Sequence, residues 1–247
     1  RSWNECCIMY YAALVPCTVA ALIASSISSM SGLAATRFTV EEIPQFGIPN
    51  GIKFFILSLI FAVASILLCV VLHKTSHFFN AHFENQYVRI IVAAVLVIIM
   101  RFLFGTTDYL GAGTDIIARS FVEQSAWYVF LLKMIFTAVT LGGGFKGGEI
   151  VPTLFVGATL GSFLAPIFGL PTGICAACGM VAVFCGVTNC PLTSLLLSIE
   201  MFGSESLKYC LLCIALSYLL SGYYSLYNSQ KIMYSKYRTE FINRHSS

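Results

Sequence analysis

The segment 142–152 carries the residues whose types and spacing could do chemistry. It reads Gly-Gly-Gly-Phe-Lys-Gly-Gly-Glu-Ile-Val-Pro, and its charged side chains are Lys146 and Glu149. Glycine lets a backbone take positive φ and approach a ligand closely, and proline suits the first turn of a helix. We therefore expect unpaired backbone N–H groups at the start of a helix over Pro152–Phe168. Such a helix start favours an anion.

Glu149 adds a group that could take up a proton beside such an anion site. Removal from water raises the pKa of a carboxyl and favours its neutral form. The same glutamate could instead pair with Lys146 or face an aqueous vestibule. The sequence leaves both interpretations open.

Two histidines, His73 and His77, have the spacing of neighbours on one helix face and could hold a metal ion. Among nearby acidic residues only Glu84 could complete a site, so we interpret them, with His82, as part of an interfacial loop. A membrane-embedded enzyme would need a nucleophile and a base inside the spans, and these histidines are its only candidates. We therefore predict no metal, no cofactor and no enzymatic activity.

Two further features lie inside apolar segments. Cys175-Ala-Ala-Cys178 has the spacing of redox and metal sites, but its neighbours are Ala, Gly, Val and Phe. We interpret these cysteines as small packing residues of a helix. Lys133 interrupts another apolar run, which indicates either a functional lysine or one that extends to the membrane surface.

The composition predicts an integral membrane protein. Hydrophobic residues make up 58% of the 247 residues and charged residues 10%, whereas a soluble domain has about a quarter charged residues. The formal net charge of +3 is modest, and a nucleic-acid-binding protein would need clustered Lys and Arg. We expect the lipid bilayer as a partner and no nucleic acid.

The elements that must position the loop are hydrophobic segments separated by Gly, Pro or charge. A span needs ~20 apolar residues, and several segments are shorter, as in transporters with helices that break inside the membrane. The predicted fold is all-α, a polytopic membrane helix bundle with broken and re-entrant helices. The first segment is rich in Ala and Ser and should face other helices. The segments are 8–33, 51–72, 87–104, a short helix within 105–124, 126–141, 152–168, 172–187, 191–202 and 207–224.

Four motifs in the second part of the chain carry a resemblance to a known family. Gly147–Pro152, followed by Gly157-Ala-Thr-Leu-Gly161, resembles the second-half signature of the CLC family of chloride channels and proton-coupled anion exchangers. The other three stand in the family's order and bring the resemblance to most of the chain beyond about residue 100. They are Gly111-x-Gly113, Asn189-Cys-Pro191-Leu-Thr193 with Glu200 and Met201, and Lys231-Ile-Met-Tyr234-Ser235.

The resemblance implies roles for individual residues. The backbone N–H groups of Glu149 and Ile150 would bind the central anion, and Tyr234 would donate its hydroxyl. Ile150 stands where the family has an aromatic residue. The Gly-Gly-Glu form is similar to the bacterial branch that exchanges fluoride for protons, which makes Glu149 a candidate for coupling or selectivity.

The resemblance also implies a CLC-like fold, a homodimer, and chloride or fluoride as the transported ion, with protons as a second ion in exchangers. It points to the plasma (inner) membrane of a bacterium. Channel and antiporter, and chloride and fluoride, stay open. We expect a single transmembrane domain over 1–247 that ends in a polar cytoplasmic tail over 227–247.

The first-half motifs of the family are absent from this sequence, including Gly-Ser-Gly-x-Pro and the segment with the gating glutamate. The sequence begins Arg-Ser-Trp, without a methionine. We therefore expect the C-terminal part of a CLC subunit, unable to form a complete pathway alone. The alternative function is that of a non-transporting fragment or a structural subunit.

Overall fold

The computed structural model describes residues 11–32, 37–227, 230–234, 236 and 241–245, with the backbone alone for 11–14, 231–234 and 241–245. Helices account for most of the described residues, and the predicted all-α membrane bundle is confirmed. The helices are α1 (Tyr11–Met30), α2 (Ile48–His82), α3 (Gln86–Phe104), α4 (Thr114–Arg119), α5 (Val129–Gly142), α6 (Ile150–Phe168), α7 (Thr172–Thr188), α8 (Pro191–Phe202) and α9 (Leu207–Leu220).

The predicted segments match these helices except at two ends. The second segment was expected to end at residue 72, but α2 continues to His82, so the interfacial loop predicted for the histidines is wrong. Residues 73–82 contain no Gly or Pro that would end a helix. Helix α9 ends before residue 224, because Gly222 takes a positive φ of 61° shortly after its last turn.

The centre of the fold is the pair α6 and α7. Every residue of 173–188 in α7 is buried. Helices α2, α8 and α9 pack around α7, and α5 packs against both α2 and α6. The buried centre is therefore built around α7 and α6, and α6 begins at the predicted anion loop.

Glycines let α6 and α7 touch backbone to backbone. A Cβ on Gly157 would lie 2.4 Å from the carbonyl oxygen of Gly179, and one on Gly161 would lie 2.1 Å from that of Cys175. A Cβ on Gly179 would in turn lie 2.3 Å from the carbonyl oxygen of Gly157. Small residues in such positions are how membrane helices approach closely. This contact fixes the start of α6 relative to the core.

Helices α2, α3 and α6 are long and apolar enough to cross a membrane. In α1, residues 15–30 are exposed almost throughout, although its Ala and Ser content was expected to face other helices. The other described helices of this chain do not cover that face. Its large apolar side chains, Leu22 and Ile23 among them, are more than half exposed.

The tail contains a small sheet that the charge-based interpretation of residues 227–247 did not predict. Strands β1 (Lys231–Tyr234) and β2 (Phe241–His245) pair antiparallel, with a register shift between Ile232 and Tyr234. The tail is therefore partly ordered as a hairpin that follows the bundle.

The α6–α7 contact predicts that Gly161→Val destabilises the fold. The added side chain would meet the Cys175 carbonyl, and overpacking of this kind costs about 1–3 kcal/mol or more of unfolding free energy. Thermal unfolding of the detergent-solubilised protein, followed by size exclusion, measures the loss. Gly51→Ala is the matched control, since a Cβ on Gly51 meets nothing within 4 Å. Equal stability of the two variants would contradict the close contact.

Candidate functional site

The loop of residues 143–149, here called the signature loop, presents unpaired backbone donors at the start of α6. The N–H groups of residues 146–151 donate to no acceptor in the described part of the chain, and Pro152 has no N–H. The first helical bond of this end runs from the Thr153 N–H to the Glu149 carbonyl. The N–H groups of Glu149 and Ile150 are thus free of helical bonding, and Pro152 lies in the first turn as expected.

Three glycines at the end of α5 and the start of the signature loop, 142–144, have close neighbours on other helices. Gly144 has a φ of 98°, and a Cβ there would lie 3.1 Å from the guanidinium of Arg89. A Cβ on Gly143 would lie 2.1 Å from that of Ala93, and one on Gly142 would lie 2.9 Å from the Thr75 side chain. Glycine is therefore required where α2, α3 and α5 converge.

Glu149 is partly buried and does not pair with Lys146. The carboxylate makes no ion pair with Lys146, and both residues are described; Lys146 is exposed. Burial raises the pKa of the Glu149 carboxyl above its ordinary value, and the positive charge of His73 partly opposes that shift. The charge of Glu149 also reaches the Cys69 thiol, one turn before His73 on the same face of α2. The pairing with Lys146 is thus not formed.

The chain returns towards this site after α9. Residues 222–227, here called the return segment, run along the end of α7. The Leu226 N–H donates to the carbonyl of Val187 at 2.9 Å, and the Ser225 hydroxyl donates to the same carbonyl at 3.3 Å. Beyond the segment, the Gln230 side chain donates to the Thr188 carbonyl at 3.0 Å. These bonds hold the return segment in one position on the bundle.

His73 contacts the return segment from α2. Its Nε2 lies 3.3 Å from the carbonyl oxygen of Leu226. Tyr227, which follows Leu226, is 42% exposed. For Tyr234 the backbone lies in β1, and its hydroxyl is outside the described part of the chain. The role that the resemblance implies for Tyr234 therefore stays a prediction.

A buried lysine, Lys133, forms hydrogen bonds to the turn that contains Gly111. Lys133 is 1% exposed, and its Nζ donates to the carbonyls of Gly111 at 2.6 Å and Tyr109 at 3.2 Å. It lies 4.9 Å from the centre of the Phe155 ring, which a Cβ on Gly113 would also meet, at 2.7 Å. Lys133 therefore does not extend to the membrane surface, because carbonyl oxygens satisfy it inside the protein.

A cavity of about 570 Å³ lies between α3, α5 and the signature loop. Its wall is mostly apolar and includes Gly147 and Gly148 of the loop, Val151 of the first turn of α6, and Lys133. A cation without a carboxylate partner and unpaired N–H groups both favour negative charge nearby. The region is thus electrostatically suited to an anion.

The cysteines form a buried packing cluster. A second pair with CxxC spacing, Cys210 and Cys213 in α9, faces Cys175 and Cys178 in α7, and all four are fully buried. The Cys178 and Cys210 sulfurs are 3.9 Å apart as free thiols. The spacing in α9 was the signal that could have revealed this contact. Among the described residues, no group of His, Cys, Asp or Glu is arranged to hold a metal ion.

Comparison with known proteins gives one family. A family model described as voltage gated chloride channel matches residues 8–222. A chloride/fluoride channel protein of Pseudomonas syringae is 33% identical over 93% of this chain and 52% of its own length. A ClC-type chloride channel, ClcB, of Salmonella typhimurium is 34% identical over 32% of this chain and 21% of its own length.

A solved structure shares the fold. The crystal structure of a CLC-type fluoride/proton antiporter superposes with a TM-score of 0.87 at 30% identity, over 92% of this chain and 58% of that chain. The chain spans about half the length of the chloride/fluoride channel protein of Pseudomonas syringae.

The buried lysine yields a prediction about folding. Lys133→Met leaves the carbonyls of Tyr109 and Gly111 without their donor, and an unsatisfied buried polar group costs about 1–3 kcal/mol of unfolding free energy. The loss is measured as a lower thermal unfolding midpoint in detergent. Lys74→Met, at an exposed position on α2, is the control for loss of a positive charge. Similar midpoints for the two variants would contradict a stabilising role for the hydrogen bonds of Lys133.

Proposed function

The chain belongs to the voltage-gated chloride channel family, and from this premise we propose that it forms part of a transporter that exchanges fluoride for protons. The observation that carries the proposal is the set of unpaired N–H groups at Glu149 and Ile150. They lie beside a carboxyl whose neutral form burial favours. An anion donor site and a proton acceptor thus share one loop.

Neutral peptide donors suit a small anion that must bind and then leave. A fixed cation at the site would hold the anion more strongly, whereas conduction requires binding weak enough for exit. The charge of Lys133, which lines the same cavity as the signature loop, is instead satisfied by the carbonyls of Tyr109 and Gly111. Fluoride is the strongest hydrogen-bond acceptor among the halides, and N–H groups replace its water directly. The names of the two relatives that include fluoride support this choice.

Glu149 supplies the proton side of the exchange. Because burial raises the pKa of its carboxyl, Glu149 takes up a proton at a higher pH than an exposed glutamate does. A carboxylate next to a bound anion is further disfavoured by repulsion between like charges. Occupancy by the anion and protonation of Glu149 are therefore linked.

A chloride channel is the second candidate. The name of the Pseudomonas relative includes both chloride and channel, and the ClcB relative is named as a chloride channel. A channel would use the same donors without net proton movement. We further propose, from the family resemblance, a homodimer in the inner membrane of a bacterium with the tail over 227–247 in the cytoplasm.

The test uses the complete gene product in liposomes. A fluoride gradient should drive protons against their own gradient, recorded by a pH-sensitive dye together with a fluoride electrode. Glu149→Gln should abolish the uphill proton movement and keep anion binding measured by calorimetry, because the backbone donors remain. Glu84→Gln, an exposed carboxylate, should behave as the unaltered protein.

Each outcome of this experiment separates the candidates. Anion flux without any proton movement in the unaltered protein would favour the channel. Larger chloride than fluoride flux would overturn the choice of ion, and proton exchange that survives in Glu149→Gln would remove Glu149 from the coupling.

Two tyrosines are compared as hydroxyl donors to the anion. Tyr234 follows from the resemblance, and Tyr227 is supported by its place next to Leu226, whose carbonyl accepts a hydrogen bond from His73 Nε2. We expect Tyr227→Phe to weaken fluoride binding about 2- to 10-fold, the loss of one hydrogen bond, and Tyr234→Phe to have little effect. Calorimetric titration of both variants decides, and weaker binding in Tyr234→Phe alone would restore the original choice.

A further inference from the structure

A polar cluster lies where α7 ends and the return segment passes it. Asn189 follows the last residue of α7 with a left-handed φ of 56° and is 7% exposed. Its side-chain amide is bonded at both polar atoms: Nδ2 donates to the Tyr224 carbonyl at 2.9 Å, and Oδ1 accepts a hydrogen bond from Lys236 Nζ. One side chain therefore joins the return segment to a lysine of the tail.

Lys236 is held in this cluster by the end of a second helix. Its Nζ also donates to the Tyr218 carbonyl at 2.9 Å and to the Ser221 hydroxyl at 3.2 Å, and it lies 4.3 Å from the centre of the Tyr218 ring. Tyr218 lies in α9, and Ser221 directly follows that helix. The N–H donors of the ammonium thus have acceptors at the ends of both α7 and α9.

The lysine decides which way the Asn189 amide faces. An ammonium can only donate, so the atom of Asn189 that it meets must be the carbonyl oxygen. The amide nitrogen then faces the Tyr224 carbonyl, which can only accept. With the amide reversed, donor would meet donor and acceptor would meet acceptor. Lys236 therefore selects the one orientation in which Asn189 binds the return segment.

Both tyrosines compared above as hydroxyl donors are attached to this cluster. Tyr234 precedes Lys236 by two residues in the chain. Tyr227 belongs to the return segment, and its N–H donates to the Ser225 oxygen at 3.2 Å, while the Ser225 hydroxyl is bonded to the side chain of Gln230. Ser225 and Gln230 are buried, and a buried polar group without a partner is costly, so the bonded arrangement is favoured over others.

We propose that Lys236 is a positioning residue of the anion site: by fixing the orientation of the Asn189 amide, it keeps the segments that carry Tyr227 and Tyr234 in the place from which a hydroxyl meets the anion. This inference rests on the proposed function and adds a residue to the same site. Lys236 acts through Asn189 in this role. Its ammonium is satisfied by the acceptors at the ends of α7 and α9 and does not bind the anion.

The first test measures fluoride affinity in variants of the complete gene product. Lys236→Met keeps a long unbranched side chain and removes the donors, so the Asn189 amide can reverse. We expect fluoride binding, titrated by calorimetry, to weaken about 2- to 10-fold, the loss of one hydrogen bond. Lys236→Arg keeps N–H donors and should retain most of the affinity. Lys208→Met, at an exposed position in α9, is the matched control and should bind as the unaltered protein does.

A second variant separates positioning from a direct effect of the charge. Asn189→Gly removes the amide without backbone strain, because glycine readily takes the left-handed conformation. It should weaken fluoride binding about as much as Lys236→Met. In the double variant the loss should be no larger than in either single variant, since the lysine acts through the amide. A lysine that attracted the anion directly would add its own loss, so additive losses overturn the proposal.

Hydrogen–deuterium exchange tests the position of the return segment without an anion. The Leu226 N–H donates to Val187 and the Tyr227 N–H to Ser225, so the exchange of both reports whether the segment stays bonded. In Lys236→Met the peptide that contains them should exchange at least about twofold faster, and in Lys208→Met it should not change. Unchanged exchange in Lys236→Met overturns the proposal, and so does faster exchange with unaltered fluoride affinity.

The outcomes also separate this inference from the proposed function. Fluoride transport without proton movement in the unaltered protein overturns the proposed exchange and leaves this inference standing, because the affinity cycle records anion binding alone. Proton exchange that persists while the losses of Lys236→Met and Asn189→Gly add overturns the inference and leaves the proposed function standing. In Lys236→Met the ratio of protons to fluoride should stay that of the unaltered protein, since Glu149 is untouched. A changed ratio would contradict a role confined to anion binding.

Discussion

The fold depends on one constraint: the peptide donors of residues 146–151 must stay unpaired inside a membrane protein. Unpaired backbone groups are too costly in hydrocarbon unless protein or a polar cavity surrounds them. Packing of Arg89 against Gly144, and of Thr75 against Gly142, anchors the chain before the open stretch. The glycine contact between α6 and α7 anchors it after that stretch. The loop is therefore held in place from both ends.

The sequence predicted the helices and the loop well because hydrophobic length and Gly and Pro positions are local signals. It failed where the answer depended on distant partners. Lys133 gave two interpretations, and neither included the carbonyls of Tyr109 and Gly111, which precede it by 24 and 22 residues. His73 was predicted to lie in an interfacial loop because only Glu84 among the nearby acidic residues could complete a metal site, whereas its ring contacts the carbonyl of Leu226, 153 residues later. Residue types state what a group can do, and the fold decides which group it meets.

The return segment brings residues from late in the described chain into contact with α2 and α7. The Leu226 carbonyl faces α2, and its N–H faces α7, so one peptide unit is bonded on both sides. The return segment, which carries Tyr227, is therefore bonded to both α2 and α7.

The hydrogen bonds of Lys133 also bear on the insertion of the nascent chain into the membrane. A lysine at the centre of a membrane helix costs about 2.5–3.5 kcal/mol on translocon-insertion scales. The carbonyls that satisfy it belong to a turn that leaves the ribosome before α5 does, since Gly111 and Tyr109 come earlier in the chain. The nascent chain thus offers the lysine its partners as it enters the membrane. Mutations that delay formation of that turn would reduce the yield of inserted protein even where the finished structure could accommodate them.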